Sequence, residues 1–215
     1  MKNITKFMRL SGLDIKLTFL LLLYLGSLFS QAQKSTKIDG ISFVSSRDSI
    51  TAVHVQPVLK VHANWVARSP FGFLMALDQP QLNFNHSRQW FGERTDGIRQ
   101  MAREFKRHKL KVMLKPQLWI RHGEFTGHIK MNTEADWQTF DKNYADFILA
   151  YARLAQEEKI EMFSIGTELA AYVAARPESW KKLIAEVRKV YKGKITYAEN
   201  WDTYHRFPYW CLLDY

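Results

Sequence analysis

The feature that most constrains the fold is the short apolar run Phe163–Leu169, which ends in Gly-Thr-Glu and lies between two segments of helical periodicity. A run of this length between helices is typical of a parallel strand that is covered on both faces. Strand alternation places Ser164, Gly166 and Glu168 on one face, which suits a crowded barrel interior with Glu168 at its mouth. In α/β barrels the functional groups lie at this carboxyl end of the strands.

Similar apolar runs alternate with helical segments along the rest of the chain. Strands are predicted over residues 38–44, 61–66, 110–118, 163–169 and 194–200, with residues 212–215 as the opening of a sixth. Helices are predicted over residues 96–108 and 135–157 and from Pro177 to Gly193. This alternation predicts an α/β fold of parallel strands joined by helices. No glycine-rich phosphate motif follows any strand, so the pattern favours an incomplete (β/α)8 barrel of the TIM type over a nucleotide-binding sheet.

Composition narrows the class of protein further. Hydrophobic residues make up 47% of the 215 residues, which is enough for the core of one domain. The formal charge of +10 is spread over basic residues interleaved with acidic ones, which argues against nucleic-acid binding. The single cysteine, Cys211, excludes an internal disulfide, and the seven histidines form neither an HExxH motif nor a Cys/His cluster. The sequence therefore predicts no metal and no cofactor.

The amino terminus has the pattern of an export signal. Four basic residues precede an apolar run, Leu17–Phe29, that is short for a membrane span, and the small residues Ser30 and Ala32 follow it. This pattern predicts a signal peptide over residues 1–32 and a mature domain over residues 33–215 that is secreted or periplasmic and, once cleaved, free of the membrane. The alternative is an uncleaved membrane anchor.

Polar and aromatic side chains cluster where the predicted strands end. They are Asn64, Trp65, Lys115, Gln117, Trp119, Thr167, Glu168, Asn200 and Trp201. Sugars offer apolar ring faces to tryptophan and hydroxyl groups to amide and lysine side chains, so this set predicts a polysaccharide or oligosaccharide partner. Cleavage of a glycosidic bond needs an acid to protonate the leaving oxygen and usually a second carboxylate. Glu168 is the candidate for the acid.

The order and spacing of several motifs make a family resemblance specific. The motifs are Leu114-Lys115-Pro116, the run 163–169, the helical segment 180–191, the run 195–202 and the closing Leu213-Asp214-Tyr215. Over about residues 38–215, this series resembles glycoside hydrolase family 113, the β-mannanase-type barrels of a large retaining clan. The resemblance implies a retaining, endo-acting glycoside hydrolase that cleaves β-mannan-like polysaccharide. It assigns the acid/base role to Glu168, places Asn200 and Trp201 in the sugar subsites, and places Lys115 at the end of the third strand.

The chain departs from the family pattern at two points. Members of the clan usually carry asparagine immediately before the acid/base, where this chain has Thr167. Their nucleophile lies on the seventh strand, which the predicted strands do not reach, so we expect a fragment without its nucleophile. Glu199 is a poor replacement, because alternation groups it with Ile195 and Tyr197 toward the helices. Two alternatives to an enzyme remain: a sugar-binding pseudoenzyme, and an exported structural domain without a sugar site.

Overall fold

The computed structural model describes residues 37–215, so the predicted signal peptide lies outside the described residues. Five parallel strands form one sheet in chain order: β1 (Gly40–Ser42), β2 (Trp65–Arg68), β4 (Lys111–Leu114), β6 (Met162–Thr167) and β7 (Lys194–Ala198). A second parallel pair consists of β3 (Phe71–Leu74) and β5 (Gln117–Ile120). The helices are α1 (Ala52–Lys60), α2 (Thr95–Arg107), α3 (Glu134–Glu157), α4 (Ala170–Ala175) and α5 (Pro177–Val190).

The described strands form an open wall of a barrel. Each new strand of the main sheet is added beside the preceding one, and β1 and β7 form its two edges. Beyond β7, the Asp214 N–H donates to Ile195 O at 2.8 Å, and the Ile195 N–H donates to the Asp214 carboxylate at 2.8 Å. Asp214 therefore lies against the edge where a sixth strand would pair, although a 3₁₀ turn at Trp210–Leu212 precedes it.

The predicted second strand, residues 61–66, is wrong in most of its length. Helix α1 occupies the preceding segment and is not among the predicted elements. It contains Pro57, and proline is disfavoured in the interior of a helix. Its end is closed by His62, which adopts a φ of 56° and donates its N–H to Leu59 O. The strand therefore starts only at Trp65 and continues to Arg68.

The predicted third strand, residues 110–118, is two strands separated at Pro116. Proline has no N–H to donate to a neighbouring strand, so the ladder breaks there and resumes as β5. The partner of β5 is β3, which lies inside the segment 67–94 that the sequence predicts to be a long loop. Together the pair continues β2 and β4 past their carboxyl ends.

The core lies between the sheet and helices α2, α3 and α5. The predicted apolar stripe of α3 is confirmed, since every member is at most 3% exposed: Phe140, Tyr144, Phe147, Ile148, Tyr151 and Leu154. Trp180 of α5 is fully buried and packs at 5.5 Å against both Tyr172 and Tyr197. Burial of each such side chain contributes about 1.5–3 kcal/mol. Within residues 37–215, no helix has the length and apolar character that a bilayer crossing requires.

Candidate functional site

A register shift in β6 decides which side chains face the site. The pairing of β6 with β7 is irregular between Ser164 and Thr167, so strict alternation fails there. A Cβ on Gly166 would lie 2.6 Å from Tyr144 Oη, which shows that Gly166 faces the helices. The prediction that Ser164, Gly166 and Glu168 share one inward face is therefore wrong. Thr167 and Glu168 instead line the same cleft at the strand's carboxyl end.

Glu168 is held in an uncommon backbone conformation by three hydrogen bonds. Its φ of 52° lies in the left-handed region, which costs a non-glycine residue about 1 kcal/mol or more. The Glu168 N–H donates to Ala198 O at 2.8 Å, and the Leu169 N–H donates to Tyr197 Oη at 2.7 Å. The Thr126 hydroxyl donates to Glu168 O at 3.0 Å. Strand β7 and the loop after β5 thus fix the main chain from which the Glu168 side chain extends.

The half-buried Glu168 lines a cleft of about 340 Å³ at the carboxyl ends of the strands. Thr167, Gln117, Trp119 and Phe71 line the same cleft. Trp119 is 51% exposed, and its ring meets that of Phe71 edge-on at a centroid distance of 6.1 Å. Among the described residues, the buried Thr167 Oγ1 has no hydrogen-bond partner. The cleft therefore combines the carboxyl groups of Glu168 and the exposed Glu124 with an amide and exposed aromatic surface.

A smaller cavity of about 240 Å³ adjoins this cleft and shares Phe71 and Gln117 with it. Lys115 lines this second cavity, as do Glu93 and Trp90. The structure thus brings Lys115, Gln117 and Trp119 to the same end of the sheet as Glu168, as the sequence predicts.

Asn64 and Trp65 lie at the opposite end, and the prediction that they join the cluster is wrong. Trp65 is the first residue of β2 and pairs in register with Lys111, the first residue of β4. The Asp39 N–H donates to Asn64 Oδ1 at 2.9 Å, and the Lys111 ammonium lies 5.5 Å from the centre of the Trp65 ring. These contacts join the amino ends of three strands, so the two side chains support the base of the sheet.

Asn200 and Trp201 lie at the predicted end of the sheet but do not line the Glu168 cleft. They follow β7, where Asn200 O accepts the N–H groups of Thr203 and Tyr204 in a turn. Trp201 is 86% exposed. Their predicted role in sugar binding stays a prediction.

Glu199 points away from the cleft, in the direction that strand alternation predicts. One carboxylate oxygen accepts the Asn200 N–H at 2.9 Å and the Thr203 hydroxyl at 3.2 Å. The side chain lines a separate, largely apolar cavity with Phe207. Burial raises the pKa of the Tyr197 hydroxyl, and the charge and hydrogen bond of Glu199 raise it too. The protonated phenol accepts the Leu169 N–H and forms a hydrogen bond with Glu199.

Sequence reasoning did not identify several residues that build the site. Tyr197 looks like an ordinary apolar strand residue, and Thr126 and Phe71 lie in segments that the sequence predicts to be loops. The aromatic-rich composition of residues 67–94 was the available signal for Phe71 and Trp90. Within residues 37–215, no group of three or more His, Cys, Asp or Glu side chains is placed to hold a metal ion.

The fold and site define a parallel barrel wall with one carboxyl group at a strand end, inside an aromatic cleft. The sequence profile of Glycoside Hydrolase Family 113 matches residues 45–215. The chain belongs to this family. No curated protein matches the chain.

Solved structures support the same assignment. A GH113 β-mannanase from Alicyclobacillus acidocaldarius, in complex with ManMIm, is 26% identical with a TM-score of 0.74, and the match covers 82% of this chain. A complex of a GH113 β-1,4-mannanase matches at 24% identity with a TM-score of 0.73, again over 82% of this chain. A further structure of a GH113 β-1,4-mannanase matches at 25% identity with a TM-score of 0.69 over 82% of this chain. The matches span 59%, 60% and 60% of the three mannanase chains.

Proposed function

We propose that residues 37–215 form the acid/base-bearing part of a secreted, retaining glycoside hydrolase that cleaves a β-mannan-like polysaccharide. The observation that carries the proposal is the position of Glu168 at the carboxyl end of β6, inside a cleft walled by Trp119 and Gln117. Membership of glycoside hydrolase family 113 and the likeness to β-mannanases support it.

In this mechanism Glu168 has two successive roles. It first protonates the glycosidic oxygen as the leaving group departs, and it then takes a proton from the water that hydrolyses the covalent intermediate. Trp119 and Phe71 offer apolar faces to a sugar ring, and the Gln117 amide offers a donor and an acceptor to its hydroxyl groups. The backbone bonds around Glu168 hold the main chain from which its side chain reaches the cleft.

The nucleophile is the part that the described residues do not supply. A retaining mechanism needs a second carboxylate about 5–5.5 Å from the first. Glu199 lines a different cavity, and Glu124, which does line the cleft, lies on an exposed turn instead of a strand end. We infer that the nucleophile belongs to a strand outside residues 37–215, and that these residues are a fragment of the catalytic domain.

A sugar-binding pseudoenzyme is the second candidate, and one observation favours it. Thr167 stands where members of the clan usually carry asparagine next to the acid/base, and its hydroxyl has no partner among the described residues. Such a protein would keep the aromatic cleft and bind sugar without turnover.

The proposal is tested with two forms of the protein. One is the 215-residue chain, and the other is a barrel-length form in which residues 33–215 are followed by the remaining strands of the barrel. We expect the barrel-length form to release sugars from β-1,4-mannan, with the anomeric configuration of the first product retained in NMR spectra. The 215-residue chain should bind mannooligosaccharide without turnover. Binding without hydrolysis by the barrel-length form would favour the pseudoenzyme, and inversion would contradict the mechanism.

Export is a separate part of the proposal. It rests on the basic start, the apolar run Leu17–Phe29 and the small residues that follow. Mass spectrometry of secreted material should find Gln33 at the amino terminus. An intact Met1 in the membrane fraction would support the anchor instead.

A further inference from the structure

The amino ends of the strands carry an exposed basic face that lies away from the Glu168 cleft. Helices α1, α2, α3 and α5 each lead into the amino end of a main-sheet strand through a short loop, so these helix ends and loops lie together at the end of the sheet opposite the cleft. Six exposed lysines in these positions form no ion pair within residues 37–215, and we call them the basal lysines: Lys60, Lys109, Lys111, Lys159, Lys189 and Lys192.

The pairing of the strands brings three basal lysines into a row. Lys109, Lys159 and Lys192 precede β4, β6 and β7, which are neighbours in the sheet. The registers of β4 with β6 and of β6 with β7 place the three residues at nearly the same level before their strands. Adjacent strands lie about 4.8 Å apart. Lysines that are far apart in the sequence therefore form one line of positive charge in the fold.

The carboxylates near this face do not neutralise the row, because each already binds a donor of the domain within 3.0 Å. The pairs are Glu104 with Arg107, Glu157 with Arg99, Glu158 with Arg103, Asp214 with Arg188, and Glu161 with the Val112 N–H. Neighbouring lysines without a counter-charge repel one another, and an anion from outside the protein would relieve this repulsion.

A structural role accounts for only part of the set. The carbonyl ends of helices favour basic residues in the last helical turn, where Lys60 and Lys189 lie. Lys109 and Lys159 instead follow the ends of α2 and α3 in the left-handed region, with φ of 62° and 51°. Glycine and asparagine are the residues that this conformation favours. The backbone therefore does not explain why lysine occupies these two positions.

The side chains of the face indicate the class of its partner. Among the described residues, the loops that join these helices to the strands carry no exposed aromatic ring. Stacking on nucleic-acid bases and anchoring at a bilayer interface both use such rings. Lysine presents a point charge on a flexible stem, which suits single charges spaced along a chain. These features favour a linear polyanion without bases or lipid tails.

We propose that the basal lysines bind an acidic polysaccharide that carries carboxylate groups along its chain. Successive carboxylates of such a polymer pair with successive lysines of the row. The polymer is distinct from the mannan-like substrate, and the Glu168 cleft stays open while the opposite face is occupied. Export, which is itself proposed, would bring the protein among such polymers. The inference goes beyond the proposed hydrolase activity and does not depend on it.

The test measures binding of polygalacturonate, a linear polyuronate, to the 215-residue chain by calorimetry at low ionic strength. The variant carries Lys109→Asn, Lys159→Asn and Lys192→Gln. Each exposed charge pair contributes modestly, so loss of three should raise Kd about tenfold. Added salt should weaken binding by the wild type. Asparagine tolerates the left-handed region, so the variant should fold with a Tm no lower than that of the wild type.

The control removes the same charge from exposed lysines away from this face. It carries Lys130→Gln in the loop before α3, with Lys181→Gln and Lys182→Gln in the first half of α5. Both variants keep residues 1–36, so the basic residues there contribute equally. The control should bind polygalacturonate like the wild type. An equal rise of Kd in the two variants, or no rise in the basal variant, would overturn the proposal.

Further arms of the experiment test the site and the partner. Mannotriose should leave polygalacturonate binding unchanged, and displacement by it would place the polymer in the Glu168 cleft and overturn the proposal. Tighter binding to phosphatidylserine vesicles or to duplex DNA than to polygalacturonate would overturn the choice of partner. Absence of polygalacturonate binding by the wild type would overturn this inference alone, because mannan hydrolysis by the barrel-length form tests the proposed function separately.

Discussion

The hydroxyl group of Tyr197 is expected to hold the acid/base in place, and Tyr197→Phe removes that group alone. The ring stays in its packing, stacked on Phe207 at 4.1 Å and edge-on to Trp180 at 5.5 Å. The substitution removes the acceptor for the buried Leu169 N–H at 2.7 Å and the hydrogen bond with the Glu199 side chain. An unsatisfied buried donor costs about 1–3 kcal/mol, so we expect the free energy of unfolding to fall by about that amount in urea titrations.

Loss of the Tyr197 hydroxyl should also lower the reaction rate, because Glu168 depends on its neighbours to keep a φ of 52°. Without the anchor at the next residue, the carboxyl group is less well placed, and small misplacements of a reacting group cost up to about 100-fold in rate. In the barrel-length form, Tyr197→Phe should therefore lower kcat with little change in KM. The loss should be largest for substrates with poor leaving groups, which need protonation most.

Tyr144→Phe is the matched control. Its hydroxyl donates to Ile165 O at 2.8 Å, on the same strand as Glu168 but without a bond to its flanking peptides. We expect a comparable or smaller loss of stability and an unchanged kcat. Equal losses of kcat in the two variants, or an unchanged kcat in Tyr197→Phe, would refute the positioning role.

Three further predictions concern stability. Gly166→Ala places a Cβ 2.6 Å from Tyr144 Oη and should lower the free energy of unfolding by about 1–3 kcal/mol, whereas an unchanged urea midpoint would contradict the facing assigned to Gly166. Burial raises the pKa of the Glu93 carboxyl group. The contribution of Glu93 to stability therefore falls as pH rises from the ordinary glutamate pKa through the raised pKa. Thermal melts should show a higher Tm for Glu93→Gln than for the wild type at pH 7, but not below about pH 4. A hydrogen bond from Arg103 lowers the pKa of the Glu158 carboxyl group. The charged Glu158 therefore stabilises the fold above the ordinary glutamate pKa, and this stabilisation is lost as pH falls through the lowered pKa. Thermal melts from pH 7 to pH 2 should show a smaller acid-induced fall in Tm for Glu158→Gln than for the wild type.

The sequence predicts the elements that depend on hydrophobic periodicity. The helices α2, α3 and α5 follow a helical apolar periodicity, and the strands β6 and β7 follow short apolar runs between helical segments. Each of these elements is found within a few residues of its predicted bounds. The position of Glu168 at a strand end follows from the same pattern, and so does that of Lys115.

Features that depend on register are not predictable in this way. The run 61–66 is apolar enough for a strand, but a helix end at His62 takes its first residues, and this moves Asn64 and Trp65 to the far end of the sheet. The irregularity in β6 reverses the facing of Gly166, because a shift of one residue moves side chains to the other face. Glu93 lies in a 3₁₀ turn, and such a short turn has no apolar periodicity in the sequence that would predict it.

The central claim is that Glu168 is the acid/base of a retaining glycoside hydrolase, and the leaving-group dependence of Glu168→Gln tests it most directly. The measurement compares aryl β-mannosides with good and poor leaving groups in the barrel-length form, with and without azide. We expect loss of activity on poor leaving groups, near-normal formation of the intermediate from good ones, and a slowed second step that azide restores, since azide needs no general base. An equal loss on every substrate without rescue by azide would contradict the claim.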